Sequence, residues 1–415
     1  MKHISYLLVL FFTISIFSQE NDDITEPNYI KTIILKSTKI NSFSPIIPLR
    51  SSFIFSFDDL NAEQLDYYYK IEHYTYDWKH SDLSSREFID GYEENRIRNS
   101  ENSFNTLQFF THYSVIFPNR DTRITKSGNY KISVMNDDDK VLFSRRFVLY
   151  ESRVDVGVSV HRSRDIATIS EKQSVQLVIN HPNLLVNNPK EEIKTVLLQN
   201  NDWNTAITNL TPQFYRGSQM LYKYTDKMNF WAGNEFHYFD SKSVRNSTVT
   251  IARVDSGPEL YHTMLYTNEE RIDRPYTNYP DVNGNFIVRN VQSDNDTLDA
   301  DYTWVFFTLE SLEDIGNKKI YVNGSFNNWR NEEANKMIYN PETRLYEAKI
   351  LLKQGFYNYQ YVTVDENKTI SNHDIDGSFY QTENDYSVLV YYHKFGSRYD
   401  SVIGFGQGNS EKIEN

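Results

Sequence analysis

Alternation of apolar and polar residues constrains the fold of this chain more than any other feature of its sequence. Phe53, Phe55 and Phe57 alternate with Ile54 and Ser56, and a run of valines at 154–160 repeats every second residue in the same way. Such a period of two places the apolar side chains on one face of a pleated strand. No stretch of helical length shows a convincing helical period. The sequence therefore predicts an all-β protein.

The length of 415 residues points to several domains, because a single hydrophobic core stops growing well below that size. Gly-, Asn- and Asp-rich turns separate the predicted strands. We expect three tandem immunoglobulin- or fibronectin-like β-sandwiches after a signal peptide. The expected boundaries are 1–18 for the signal peptide, 27–151, 152–299 with a long irregular segment at 257–299, 300–393, and a flexible tail at 394–415.

The N-terminus is typical of a secretory signal peptide. Lys2 and His3 precede an apolar run from Ile4 to Phe17, and the small residue Ser18 and a polar segment follow. The apolar run is shorter than the roughly 20 residues that span a bilayer. We therefore expect an exported protein with no direct membrane insertion. The absence of cysteine fits a bacterial periplasm, where disulfides are not obligatory.

Composition argues against several functions. A net charge of -13 without a basic stripe disfavours nucleic acid as a partner. The absence of cysteine excludes thiolate metal sites and cysteine nucleophiles. The sequence has no Gly-x-Ser-x-Gly elbow, P-loop or dinucleotide fingerprint. We predict no catalytic residue, no cofactor-binding residue and no cofactor.

Two acidic clusters have simple structural interpretations. Asp137 to Asp139 lie between two predicted strands, which indicates a hairpin turn. Oxygen ligands for calcium are conceivable at Asp294, Asp296, Asp299 and Asp301, but the segment lacks the glycine and terminal glutamate of an EF-hand loop. The ten histidines include no closely spaced pair typical of zinc. We therefore predict an interdomain linker at 294–301 and no metal site.

A resemblance to glycogen- and starch-binding modules of the immunoglobulin-like type rests on Asn323–Trp329, Tyr346–Ala348 and Leu352–Tyr361. It implies an aromatic platform for a sugar ring, with Trp329 as its first member and Tyr357 and Tyr359 beside it. Gln360 occupies the position at which the modules have a lysine, and no second tryptophan follows. The resemblance therefore favours a retained sandwich scaffold in the third domain over sugar binding.

A second resemblance extends over nearly the whole mature chain. Short motifs, in order, resemble the plug protein family of the type IX secretion system of Bacteroidetes: Asp77–Ser81, Ser103–Thr106, His112–Tyr113, Phe117–Asn119, Ser127–Tyr130, Ala232–Phe236, Phe239–Asp240, Asp281–Gly284 and Ala300–Tyr302. His237 stands where the family pattern leads us to expect a basic residue. No single motif is specific, whereas their ordered combination is.

The plug resemblance implies a non-enzymatic periplasmic protein that docks on the outer-membrane translocon β-barrel and occludes its periplasmic opening when no cargo is present. We expect a contact rich in Tyr, Asn and charged groups, at loop tips of the first domain or at 261–290. Two alternatives stay open. One is a glycan-binding protein of the cell envelope, and the other is a secreted accessory to an enzyme.

Overall fold

The computed structural model describes residues 23–39, 43–311, 315–411 and 413. The described residues are 47% strand and 5% helix, which confirms the predicted all-β fold. The predicted signal peptide at 1–18 lies outside the described residues. Within the described ranges, no helix has the length and apolar character needed to cross a bilayer.

The first domain is a sandwich of two sheets with strand orders β1-β3-β8-β7 and β2-β11-β10-β4-β6. The alternating phenylalanines of β3 are buried between these sheets. The hairpin predicted around Asp137–Asp139 is confirmed by the pairing of β10 with β11. The elements are β1 Ile30–Ser37, β2 Ile46–Pro48, β3 Phe53–Asp59, β4 Tyr68–Tyr74, α1 Ser85–Phe88, β5 Ile89–Gly91, β6 Glu94–Arg96, β7 Asn99–Asn102, β8 Thr111–Phe117, β9 Thr122–Ile124, β10 Gly128–Met135 and β11 Val141–Tyr150.

The next strands begin a middle domain, whose first sheet has the order β12-β13-β17-β16 with β18 also paired to β13. The alternating valines predicted as a strand form β12. The elements are β12 Asp155–Arg162, β13 Lys172–Asn180, α2 Pro189–Glu192, β14 Ile193–Gln199, β15 Asp202–Ile207, β16 Phe214–Arg216, β17 Gln219–Tyr222 and β18 Asn229–Trp231.

A third domain follows, with one sheet built on β28 and another of order β20-β21-β24-β27-β26. Its core includes residues from both sides of position 300, such as Phe239, Ile251 and Tyr357. The elements are β19 His237–Asp240, β20 Ile251–Ser256, β21 Tyr261–Leu265, β22 Asn268–Glu269, β23 Phe286–Val288, α3 Asp296–Asp299, β24 Tyr302–Glu310, β25 Lys319–Asn323, two 3-10 turns at Ser325–Asn327 and Glu333–Asn335, β26 Ile338–Asn340, β27 Leu345–Lys353, β28 Gly355–Val364 and β29 Ile370–Ser371.

The chain then returns to the middle domain through β30 (Asp385–Tyr392) and β31 (Ser401–Asn409). These strands complete a second sheet of order β15-β14-β30-β31. The third domain is therefore inserted between the two parts of the middle domain. The expected boundary at 299/300 does not match this strand pairing, because β19 to β23 pack in the third domain and β30 packs in the middle one.

The expected flexible tail at 394–415 is wrong for residues 401–409, which form β31. The glycines that suggested flexibility, Gly404 and Gly406, allow β31 to lie directly against β12. A Cβ added at either glycine would lie 2.5 or 2.6 Å from a methyl group of Val154 or Val156. The alternating glycines of β31 therefore pack directly against the alternating valines at 154–156.

We predict that Ile403→Ala lowers the free energy of unfolding by about 2–5 kcal/mol, because the fully buried side chain leaves a cavity in the middle domain. The measurement is urea unfolding followed by circular dichroism. Phe395→Ala is the control, since this ring is 91% exposed. A change for Ile403→Ala as small as that of the control would show that β31 does not stabilise the domain.

Candidate functional site

A buried ion pair joins the first and third domains. The Lys353 ammonium of β27 lies 2.6 Å from Oδ2 of Asp58 on β3, and neither side chain reaches solvent. The Tyr302 hydroxyl donates to the same oxygen at 2.7 Å, while Nδ1 of His112 lies 2.7 Å from Oδ1. The ammonium also donates to the Thr297 carbonyl oxygen at 2.6 Å. Each oxygen of the carboxylate therefore has a partner.

The electrostatics of this cluster depend on both domains being in place. Burial alone would raise the pKa of Asp58, but Lys353 and His112 hold it below its usual value. The ammonium also lies 3.9 Å from the centre of the Phe110 ring, a cation–π contact from the first domain. Separating the domains would remove Lys353 and Tyr302 from Asp58 and leave it His112 of its own domain, so water would have to solvate both charges of the pair.

Thr32 supports the same junction with a strained backbone. Its φ of 50° is unusual for a β-branched residue and coincides with a register shift in β1 between Lys31 and Ile34. This geometry brings the Thr32 hydroxyl to 2.5 Å from the hydroxyl of Tyr302. The bulge thus couples the first strand of the chain to the third domain.

The loop between β7 and β8, residues 103–110, exposes three apolar side chains on a fixed backbone. Phe104, Leu107 and Phe109 are 72%, 50% and 64% exposed. The Asp301 carboxylate accepts hydrogen bonds from the backbone N–H groups of Leu107 (2.7 Å) and Gln108 (3.1 Å). The Phe104 N–H donates to the Leu298 carbonyl oxygen at 3.1 Å. The third domain therefore holds this loop in place.

A second junction joins the first domain to the middle one. Trp78, Val196, Leu389 and Val402 belong to one apolar cluster that draws on both domains. The Tyr391 hydroxyl of β30 donates to the Asn129 side chain of β10 at 2.8 Å. The returning strands therefore pack against the first domain as well as within their own.

Where the three domains meet, a cleft of about 580 Å³ is open to solvent. The central cleft, as we call it, is lined by residues 33–36 of β1, 202–204 of β15, 286–288 of β23 and the segment 325–332. At its rim, Glu26 lies 2.8 Å from both Arg145 of the first domain and Arg330 of the third. Burial opposes its ionisation, but the two arginines lower the pKa of Glu26 to about 2.

The predicted sugar platform is not formed, because all three of its residues are buried. Tyr357 stacks between Phe239 and Phe286, with ring centres 5.0 and 5.3 Å away, and Tyr359 stacks on His237 at 5.4 Å. Trp329 packs over Gly284 and against the Phe236 ring, and it lines the cleft with only 8% of its surface exposed. A sugar needs an exposed ring face, and these faces are covered.

The aspartates considered for calcium are used in local structure. Asp296 accepts from the Asn290 N–H at 2.6 Å, Asp299 accepts from the Ser293 hydroxyl, and Asp301 holds the 103–110 loop. The expected linker is instead α3 and the start of β24. Over the described ranges, no group of three or more His, Cys, Asp or Glu residues is arranged to hold a metal ion.

A cluster of carboxyl groups lies where the third domain returns to the middle one. The Glu235 carboxylate accepts from the Tyr276 hydroxyl and from the Glu383 N–H, the latter at 3.1 Å. Burial and neighbouring carboxylates raise the pKa of Asp281 and of Glu383 to about 6, and burial raises that of Glu235. Nearby, burial and Arg271 lower the pKa of His237. The position expected to be basic is thus a buried imidazole bonded to Asp376.

The molecule is therefore a three-domain β-sandwich protein whose domains are tied by buried polar contacts and whose first domain exposes a fixed apolar loop. Residues 30–151 match the family model of the type 9 secretion system plug protein 1st domain. Residues 30–151 therefore form a first domain of this family, as the resemblance predicted. The family is of the secretion-plug type and is not an enzyme family. It supports a role related to type IX secretion and an envelope-associated location.

A solved structure shares the whole architecture. A hypothetical protein from Parabacteroides merdae, whose crystal structure was determined at 2.30 Å resolution, is 32% identical and superposes with a TM-score of 0.90. The match covers 93% of this chain and 98% of that one, so it includes the inserted third domain. Among curated proteins, none matches this chain.

Sequence reasoning missed the residues that tie the domains together. Asp58 and Lys353 are 295 positions apart, and neither lies in a motif. The 103–110 loop could have been found from the sequence. No charged residue occurs from Asn102 to Asn119, whereas 24% of all residues in the chain are charged. An uncharged stretch with exposed aromatic residues is typical of an interaction surface.

We predict that Lys353→Met lowers the free energy of unfolding by about 3–5 kcal/mol, because Asp58 is left buried without its counter-charge. The double variant Asp58→Asn/Lys353→Met is expected to be more stable than Lys353→Met alone. The measurement is urea unfolding of both variants. Arg123→Met is the control, since its exposed pair with Asp90 contributes less than about 1 kcal/mol. Equal losses in the single and double variants would contradict a coupled pair.

We predict that Glu383→Gln stabilises the protein by about 1 kcal/mol at pH 7.5 and has little effect at pH 4. The folded-state pKa of Glu383 is raised to about 6, so the folded protein holds its proton more tightly than the unfolded chain does. Ionisation therefore costs stability as pH rises through 4.5–6, and glutamine avoids that cost. Urea unfolding at both pH values tests this, with the exposed Glu259→Gln as control. A pH-independent effect would contradict it.

Proposed function

We propose that this protein is a non-enzymatic periplasmic plug, which docks on the outer-membrane translocon β-barrel of the type IX secretion system and occludes its periplasmic opening when no cargo is present. The observation that carries the proposal is the family match over residues 30–151. Occlusion requires shape and a releasable contact, and it requires no reacting group.

The junctions between domains support this role. An occluding body that bent at its domain boundaries would leak, so the boundaries must resist bending. The Asp58–Lys353 pair and the Glu26 bridge each connect the first domain to the third, and the apolar cluster around Trp78 connects it to the middle domain. The first domain is therefore held at several separate places.

The 103–110 loop is the docking element we propose for the first domain. Phe104, Leu107 and Phe109 supply exposed apolar surface at little entropic cost, because Asp301 already fixes the backbone. Releasable partners usually bury about 1,200–2,000 Å² with a polar rim around an apolar centre. We expect Tyr, Asn and charged residues around the loop to form that rim. The apolar centre departs from the contact expected from the sequence, which is dominated by Tyr, Asn and charged groups.

We predict that the double variant Phe104→Ser/Phe109→Ser weakens association with the translocon by about tenfold or more, because central aromatic residues dominate such contacts. The measurement is recovery of the translocon from outer-membrane extracts on the immobilised protein, followed by conductance of the recovered pore with and without it. Wild-type protein should lower the conductance.

The matched control is Ile166→Ser/Val249→Ser, which removes two apolar side chains exposed in the other domains. It should bind and block like the wild type. Equal recovery of the translocon on all three proteins would remove the 103–110 loop from the contact. A wild-type protein that recovers no barrel, or that leaves the conductance unchanged, would refute the plug function itself.

A further inference from the structure

The central cleft is bordered by three strands that are each the edge of a sheet. β1 belongs to the first domain, β15 to the middle one and β23 to the third. Across the described part of the chain, β1 pairs with β3 alone, β15 with β14 alone and β23 with β28 alone. The outer side of an edge strand presents backbone N–H and C=O groups without strand partners. Three such edges therefore face one cleft.

Edge strands are normally protected against pairing with other chains, by charges, by prolines or by covering segments. Here the edges carry apolar residues, among them Ile34 and Leu35 on β1 and Ile287 on β23. Ile287 is 41% exposed and lines the cleft. On β1, the exposed Lys36 and a bulge hinder strand addition. The segments of β15 and β23 that line the cleft carry only one charged residue, the buried Asp202, so these two edges can accept an extended chain.

The chemistry of the lining selects a neutral ligand with many amide groups. Basic and acidic side chains are present in equal numbers, and the best-placed arginines, Arg145 and Arg330, are already bound to Glu26. Six asparagine side chains line the remainder, and each already makes a hydrogen bond within the protein: Asn200, Asn201, Asn204, Asn285, Asn328 and Asn331. Within the described residues, the side-chain oxygens of Asn204, Asn285 and Asn328 accept no hydrogen bond and could accept one from a peptide N–H. These groups match peptide bonds better than they match phosphate or an acidic partner.

We propose that the central cleft binds an extended, uncharged peptide segment of the translocon, which adds as a strand to one of these edges. The inference rests on the proposed plug function. It adds a second contact with the translocon, which is formed by strand addition in the central cleft. Residues 202–204 of β15 and 286–288 of β23 each offer an edge of about 10 Å in the cleft, enough for a strand of about three residues. Main-chain hydrogen bonds supply affinity in this mode of recognition.

All three domains contribute an edge strand to the cleft, so peptide binding involves all of them. A peptide in the cleft would touch residues from each domain at once, whereas the 103–110 loop presents the surface of the first domain. Binding would therefore depend on the domains being held in their observed arrangement. The Asn204 side chain, which donates to the Trp329 carbonyl oxygen at 2.9 Å, already joins the middle and third domains at the wall of the cleft.

The test is hydrogen–deuterium exchange of the full-length protein, alone and in complex with the purified translocon. We expect the complex to slow exchange at one or more of the segments 33–36, 203–206 and 286–288. Ile287→Lys, which places a charge on the edge, is expected to weaken the complex about tenfold. Ile338→Lys is the matched control, because Ile338 is 68% exposed on the edge strand β26 and does not line the cleft.

The outcomes separate the two proposals. A complex that forms while all three edges exchange as in the free protein, and that Ile287→Lys does not weaken, overturns this inference and leaves the plug function standing. Absence of any complex with wild-type protein overturns both. Edges that already resist exchange in the isolated protein would show that a segment of this chain or a second copy occupies the cleft, which also overturns the inference. If Ile287→Lys does not fold, the exchange measurement on the wild-type protein still tests the inference.

Discussion

The contact between Asp58 and Lys353 is the constraint on which the arrangement of this protein depends. The Asp58 carboxylate is bonded to His112 of its own domain and to Lys353 and Tyr302 of the third domain. A buried pair of this kind is a weak source of stability, since apolar residues can replace it. Its set of partners is complete in the observed orientation of the first and third domains, which also places the 103–110 loop and two walls of the central cleft.

The sequence predicts local structure well in this chain because apolar residues that recur at every second position mark a strand. The valines of β12, the phenylalanines of β3 and the β10–β11 hairpin were all predictable from neighbouring residues. The domain organisation was not, because the pairing of β14 with β30 joins residues nearly two hundred positions apart. Nothing local distinguishes a strand that pairs with its neighbour from one that pairs across an inserted domain.

The candidate site shows the same difference between local features, which the sequence predicts, and long-range contacts, which it does not. The family resemblance rested on short motifs, and the match over residues 30–151 confirmed it. The aromatic residues chosen for a sugar platform were wrong because a ring's accessibility depends on what covers it, and Tyr357 and Tyr359 are covered by residues such as Phe239 and His237. Residue type predicts that a ring will stack, and only the fold decides on which partner it stacks.

The inserted third domain has a consequence for how the protein is assembled. The middle sandwich begins with β12 near position 155, and its second sheet is completed by β30 and β31, which follow the inserted domain in the chain. The valines of β12 are covered only after β31 has been made, because its glycines pack against them. Long-range pairing of this kind is slow. Until these strands are made, the earlier strands of the middle domain lack some of their partners, and unpaired strand edges make a partly folded chain prone to aggregation.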